Sequence, residues 1–469
     1  MTRFDRRSAL RLLGGAAGAV GAVGAPMLYA CGGRDERPLS ESIDTVVLLM
    51  MENRSFDNYY GAMSMVEGRR GLDGLLPSMK NPDLAGEAVA VHPADLNCIA
   101  DPRHSWTSSH RQFNEGKNDG FVTEHERRYG FEERHRPMGY FDRRTLPAHY
   151  GIGGHYTICD RWFSSLMTST WPNRFYTLGA QNNGIRGNDF EGDYSFINIY
   201  DRLGRAGIPW SVYYGNISFS SLFPRKYPQD NFRELMRFFD DAEAGTLPNF
   251  VMVEPIYGRN DDHPPEHPLA GQVLIQAIYD ALAKSPQWER SLFIVTYDEH
   301  GGFFDHVAPP KVPDLFADDG FDQLGFRVPA FVAGPFVKQG HVEHTVFDHT
   351  SVLAFVERLW GLNPLTPRDA AANDLSVLLD ERRLRDDRPA APLDLPRIDA
   401  EESVIYAPEC VVSIGPFAGA LDLFGQPELT AFVANRFAGT SFDRRHQTDT
   451  IYEDFLKHAE RRGVLRRRI

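Results

Sequence analysis

Short, uninterrupted apolar runs that break abruptly into carboxylates organise this chain. Thr45–Met51, TVVLLMM, has no charged position and leads straight into Glu52-Asn53-Arg54-Ser55-Phe56-Asp57. Ser291–Tyr297, SLFIVTY, changes character within one residue to Asp298, Glu299 and His300. The paired glycines Gly301 and Gly302 follow, then Asp305-His306, and Pro309–Pro310 ends the stretch. Runs of this length and composition predict strands buried on both faces. Similar runs predict strands at Pro209–Tyr214, Asn249–Glu254 and Arg327–Ala333. Helical spacing of apolar residues predicts helices over Tyr194–Ala206, Asn231–Gly245, Leu269–Lys284 and Phe347–Trp360. Another helix should begin near Pro172 in TSTWPNR and continue through Phe175–Gln181. Strands alternating with helices predict an α/β fold with its sheet covered on both faces. Residues 62–146 keep no such rhythm. A long irregular stretch with scattered short helices predicts a substrate-facing cover.

Charge and the ends of the chain add to this outline. The net charge of −14 over 469 residues argues against a general nucleic-acid binder. It leaves phosphate substrates open, because a metal ion can supply the local positive charge. Residues 1–30 read as an export leader. Arg6-Arg7 sits in DRRSALR, a twin-arginine signal that engages the twin-arginine export machinery, with Ala9 where Phe is usual. Leu28-Tyr29-Ala30-Cys31 resembles a lipoprotein box, with a bulky Tyr29, so a membrane tether through Cys31 is a possible fate. The expected location is outside the cytoplasm: periplasmic, secreted or membrane-anchored. Residues 31–43 form a linker, 44–372 the main domain, and 373–469 a charged, Pro-rich wrap with a helical tail. The tail, Asp449–Ile469, carries Arg461, Arg462, Arg466, Arg467 and Arg468. That cluster reads as a solvated end or as a contact with anionic lipid. Cys98 and Cys159 read as a disulfide or as separate buried thiols, and no Cys-x-x-Cys is present to hold zinc.

The chemistry concentrates where the two strongest strands end. Adjacent carboxylates at the end of a buried strand are costly unless a cation lies between them. Glu52, Asn53, Asp298 and Glu299 offer hard oxygens suited to one divalent ion. Each motif alone would pass for a helix cap. Their recurrence at strand ends, with His104, His263 and His306 in loops, points to a site instead. Open α/β sheets bind ligands at this edge. Thr170 stands just ahead of a helix start, where a cation and the positive helix end both favour an alkoxide and bind phosphate.

The strings TVVLLMMENRSFDNYYG, HSW, TSTWPNR, NDDHPP, TYDEHGGFFDHVAPP, RVPAFVAGPFV and FDHTSVLAFVERLWG occur in order from about residue 44 to 363. Together they resemble the bacterial phosphoesterase family, which includes phospholipases C of pseudomonads and mycobacteria and acid phosphatases of the same fold. The resemblance implies the alkaline-phosphatase-like fold, three α/β/α layers around a central, mostly parallel sheet. It implies Glu52, Asn53, Asp298 and Glu299 as metal ligands and Thr170 as the nucleophile and a further ligand. Thr168-Ser169 replaces the family's Gly-Pro before that threonine, which leaves Ser169 as a rival nucleophile. It implies His104 and His263 as groups that contact phosphate or transfer a proton, with His306 as a further candidate. The implied activity is that of a phospholipase C acting on a phospholipid or small phosphoester. The alternatives are an acid phosphatase acting on phosphomonoesters and, from another class, a surface lipoprotein that binds ligand without turnover. Trp106, Trp171, Tyr213 and Tyr214 are candidate cation–π walls for a head group.

Overall fold

The computed structural model describes residues 38–95, 97–188, 194–223, 227–406 and 444–468. The leader over residues 1–30 and Cys31 lie outside these described residues. The main sheet has eight strands. In chain order they are β1 (Thr45–Met51), β2 (Thr157–Cys159), β3 (Trp210–Tyr214), β4 (Phe232–Glu234), β5 (Phe250–Glu254), β6 (Ser291–Tyr297), β7 (Phe331–Ala333) and β8 (His341–Glu343). Their order across the sheet is β8-β2-β7-β6-β1-β5-β3-β4. All pairings are parallel except those of β7, which runs against β6 and β2.

Every residue of β1 and β6 is buried, as continuous apolar runs require of strands covered on both faces. Two groups of helices supply that cover. In one, α4 (Thr170–Gly179) packs with α5 (Ile199–Ala206) and α8 (Thr350–Trp360). In the other, α6 (Leu235–Ala244) packs with α7 (Pro268–Ala283). Residues 62–146 carry short elements above the sheet edge, among them α2 (Trp106–Phe113) and α3 (Phe121–Tyr129). A four-residue helix, α1 (Phe56–Tyr59), joins β1 to this region.

Several boundaries move for local reasons. The strand expected over Arg327–Ala333 is confined to Phe331–Ala333. Pro329 has no N–H for a ladder, and Arg327 is committed to a buried ion network. The helix expected from Tyr194 begins at Ile199, because Asn198 and Asp201 form a capping box. The helix expected over Asn231–Gly245 gives its first residues to β4 and stops at Gly245, whose φ is 67°.

The tail departs most from expectation. Its helix, α9, spans Arg444–Arg461, and the chain then forms strand β10 (Leu465–Arg468) parallel to β9 (Ile398–Glu401). The end of the chain is ordered rather than frayed, and four of its five arginines are paired. Arg466 and Arg468 pair with Asp399, Arg467 pairs with Glu453 and Glu460, and Arg462 pairs with Glu243. The stretch before β9 wraps α7, receiving Trp288 Nε1–H at Ala390 O and Gln276 Nε2–H at Pro396 O. The Cys98–Cys159 bridge is not formed: Cys159 is a buried free thiol, and Cys98 is disulfide-bonded elsewhere. Among the described residues no helix is long and apolar enough to cross a membrane.

Candidate active site

Strand register assembles the first half of the site. Met51 pairs with Tyr297 at the ends of β1 and β6, so Glu52 and Asp298 leave neighbouring strands at the same level. The turns then interlock. Asp298 N–H donates to Met51 O at 3.1 Å, and Glu52 N–H donates to Asp261 O, beyond β5, at 2.9 Å. Asn53 N–H donates to Asp298 Oδ1 at 3.0 Å, and Arg54 N–H donates to Glu299 O at 3.1 Å. Asn53 is left-handed, with φ 57°, a conformation asparagine tolerates better than most residues. The glycines of the second turn are required by space as well as by backbone angle. A Cβ on Gly301 would lie 2.1 Å from Asn53 O, and one on Gly302 would lie 2.7 Å from Arg103 O.

Helix α4 supplies the second half. Asn173 fixes the approach: its Nδ2 donates to Leu166 O, Thr168 O and Ser169 O, and its Oδ1 accepts Leu166 N–H. Thr170 then opens the helix, and Arg174 lies one turn further along the same helix face. The buried Arg174 guanidinium reaches across the sheet edge. Nη2 donates to Met50 O and Met51 O and lies 3.0 Å from Glu52 Oε1, while Nε is 3.6 Å from Asp298 Oδ2. It therefore joins the carboxylates of both strands to the helix that carries Thr170.

Burial raises the Glu52 carboxyl well above its usual range; Arg174 opposes the rise, and Asp298, Asp261 and Glu299 add to it. Burial likewise raises Glu299, with His104 opposing and Asp298 reinforcing. Asn53 Oδ1, Thr170 Oγ1, Asp298 Oδ2 and Glu299 Oε1 are buried without a hydrogen bond. Four orphaned hard oxygens beside mutually repelling carboxylates fit a divalent cation by chemistry.

His104 and His263 face this edge from two loops, with ring centroids 6.2 Å apart. Each is oriented by a backbone carbonyl. His104 Nδ1–H donates to Pro102 O at 2.8 Å, and His263 Nδ1–H donates to Pro264 O at 2.6 Å. That leaves both Nε2 atoms for other partners. His104 Nε2 is 3.4 Å from Asn53 Nδ2 and 3.9 Å from Glu299 Oε1. Burial alone would lower the His104 pKa, but Glu299 and Asp101 outweigh it and push it up to about 9. Among the described residues, Asp101, His104 and His263 form the group whose ligand atoms all lie within 4.8 Å of one another. Glu52, Asp298 and Glu299 do not form such a group; Arg174 lies 3.0 and 3.6 Å from Glu52 and Asp298, and His104 lies 3.9 Å from Glu299.

His306 has a different set of partners from His104 and His263. Its Nδ1 donates to Asp57 Oδ2 at 2.6 Å, and its Nε2 is 3.1 Å from Asp73 Oδ1. With Arg327 and Asp305 it belongs to a largely buried ion network. The aromatic walls are also differently used. Trp171 and Tyr213 are core residues, and Arg186 and Arg233 already face Trp106 and Tyr213 at 4.8 and 5.8 Å. Three contributors escaped the sequence reading. Asp101 lies three residues before His104, a spacing that could have flagged it. Arg174 is the last residue of TSTWPNR. His349, whose Nε2–H donates to Asp298 O at 2.7 Å, carried no signal beyond its place before a helix.

The model of the Phosphoesterase family matches residues 43–363. Non-specific phospholipase C1 of Arabidopsis thaliana is 32% identical over 423 residues, covering 81% of this chain and 76% of that protein. Phospholipase C B of Mycobacterium tuberculosis strain H37Rv is 30% identical over 441 residues, covering 79% of this chain and 83% of that protein. Among solved structures, a protein in the alkaline phosphatase superfamily from Vibrio parahaemolyticus is 12% identical, with a TM-score of 0.32, covering 67% of this chain and 78% of its own. An overlap that slight carries no argument. The fold rests on the sheet itself, and the family on the sequence match.

Proposed function

The chain belongs to the phosphoesterase family and is a phosphoric ester hydrolase; from that premise we propose that it is an exported phospholipase C whose nucleophile is Thr170. The observation that carries this reading is the Thr170 hydroxyl, buried, without a hydrogen bond, at a helix start one turn before the arginine that spans Glu52 and Asp298.

Glu52, Asn53, Asp298 and Glu299, with Thr170, would hold one divalent cation. When bound, such an ion supplies Lewis-acid charge to the phosphoryl oxygens and favours the ionised hydroxyl. The protein's own groups do the rest. Thr170 Oγ, having already lost its proton to solvent, attacks phosphorus in line, the bond from phosphorus to the glycerol oxygen breaks, and a histidine of the His104–His263 pair gives that oxygen its proton. Water then attacks the phosphothreonine, returns a proton to the same pair, and frees the phosphorylated head group. Both Nδ1 atoms are tied to carbonyls, so Nε2 is the atom that exchanges protons in each case.

The test is turnover of a chromogenic phosphodiester against the matching monoester by the unmodified enzyme and by Thr170→Ala. The diester should be preferred, and the variant should lose on the order of a thousandfold in kcat while keeping its melting temperature. Preference for the monoester would make the enzyme an acid phosphatase. Normal turnover in Thr170→Ala, with Ser169→Ala inactive, would move the nucleophile by one residue. Absence of any turnover would leave a ligand-binding lipoprotein.

A further inference from the structure

Polar atoms buried without a hydrogen bond at the catalytic edge fall into two kinds. Asn53 Oδ1, Asp298 Oδ2 and Glu299 Oε1 are acceptors, which a cation satisfies. Arg174 Nε–H and the Tyr257 hydroxyl are donors, and they too lack a hydrogen bond. A cation cannot accept from a donor. An oxyanion can, and the phosphoryl group of a phosphoric ester brings acceptor oxygens to this edge.

The sheet places Tyr257. β5 lies beside β1, with Val253 paired to Leu49, so the turn that carries Tyr257 and the turn that begins at Glu52 leave neighbouring strands at one edge. Its backbone is clamped by Asn216, just beyond β3. Tyr257 N–H donates to Asn216 Oδ1 at 3.1 Å, and Asn216 Nδ2 donates to Tyr257 O at 2.9 Å. The guanidinium carbon of Arg174 stands 5.5 Å from the centre of the Tyr257 ring. Glu254, at the end of β5, is already engaged: its Oε2 accepts Phe219 N–H at 2.8 Å and its Oε1 accepts the Ser218 hydroxyl at 3.4 Å. Burial raises the Tyr257 pKa well above its usual range; Arg174 opposes the rise, and Glu254, Glu52 and Asp298 add to it. The hydroxyl therefore keeps its proton, among the charged groups that build the site.

We propose that the Tyr257 hydroxyl donates a hydrogen bond to a non-bridging oxygen of the phosphoryl group that Thr170 attacks. Negative charge spreads over these oxygens in the transition state, where a donor already fixed in place lowers the barrier. The proposal rests on Thr170 as the nucleophile, but its test separates the two. Turnover of a chromogenic phosphodiester, and binding of orthovanadate by calorimetry as an analogue of the five-coordinate phosphoryl group, are measured for the full-length enzyme, Tyr257→Phe and Thr170→Ala. Phenylalanine keeps the ring beside Arg174 and removes only the oxygen. Tyr257→Phe should lower kcat by about 100-fold with KM within about threefold, and vanadate binding should weaken in step. Its melting temperature should be equal or higher, because a buried hydroxyl without a partner destabilises the fold. Unchanged kcat and vanadate affinity, at whatever melting temperature, or a loss confined to KM, would overturn the proposal. Tyr257→Met, which also removes the hydroxyl, repeats the test if Tyr257→Phe does not fold. Undiminished turnover and vanadate binding in Thr170→Ala, with Tyr257→Phe impaired, would instead refute the Thr170 reading alone.

Discussion

His306 offers the sharpest separation between a structural and a catalytic histidine, and His306→Gln is the perturbation. Its imidazole is 17% exposed and lies between Asp57 and Asp73, with Arg327 at 3.3 Å and Asp305 beyond it. Burial alone would lower its pKa, but Asp57 and then Asp73 overcome that and raise it to about 9. The ordinary value is about 6.5. A histidine whose folded pKa lies above its unfolded one stabilises fully below the unfolded value, and that stability is lost as pH rises through the folded value. The charged imidazole therefore contributes about 3 kcal/mol at pH ~6, about 2 kcal/mol at pH ~7.5, and almost nothing by pH ~10. The fall of Asp73 to about 2 is the same pair seen from its other member, so the two shifts are not summed. Equilibrium urea unfolding of enzyme and variant across this range checks the slope. The gap between them should close as pH rises, while kcat of the folded variant stays within about threefold of normal. A gap that is flat with pH would refute the electrostatic account. A thousandfold loss of kcat with unchanged stability would return His306 to the catalytic group.

Two further predictions follow from the same geometry and from the leader. Asp298→Asn should fold, lose bound divalent metal by elemental analysis, and lose activity. Chelation of the unmodified enzyme should lower its melting temperature, because a ligand that binds only the native state stabilises it; full activity with no metal detected would remove the ion from the site. Arg6→Lys with Arg7→Lys should hold precursor in the cytoplasm, and mass spectrometry of mature protein should find an acylated Cys31. An unmodified start elsewhere would remove the membrane tether.

The positions that sequence reading finds most readily here are those whose physics is local. β1 and β6 are visible because a strand buried on both faces must be apolar throughout, and their ends are visible because carboxylates there are anomalous. Gly301 and Gly302 are legible as a turn, but not as the clearance for Asn53 O and Arg103 O. His306 reads as a candidate from its place in a loop and from the family resemblance, but its partners are not legible. Nothing adjacent to it in sequence reveals Asp57 or Asp73, which are more than 200 positions away. The tail reads as a basic helix because β9 and its Asp399, which make Leu465–Arg468 a strand, lie about 67 positions earlier.

Arg174 shows why the site holds together before any ion is considered. Glu52 and Asp298 are set at one level by the pairing of Met51 with Tyr297, but strand pairing says nothing about where a helix hydroxyl should stand. Arg174 couples the two registers. Its guanidinium donates to Met50 O and Met51 O and lies 3.0 and 3.6 Å from Glu52 and Asp298. A planar group with donors in a fixed fork transmits that constraint to its own backbone better than a flexible ammonium does. Once Arg174 is fixed, the helix fixes Thr170, four residues earlier on the same face and about 5.4 Å along the axis. Asn173 holds the approach to the helix and Arg174 ties the helix to the strand ends, and between them the Thr170 hydroxyl is buried without a hydrogen bond.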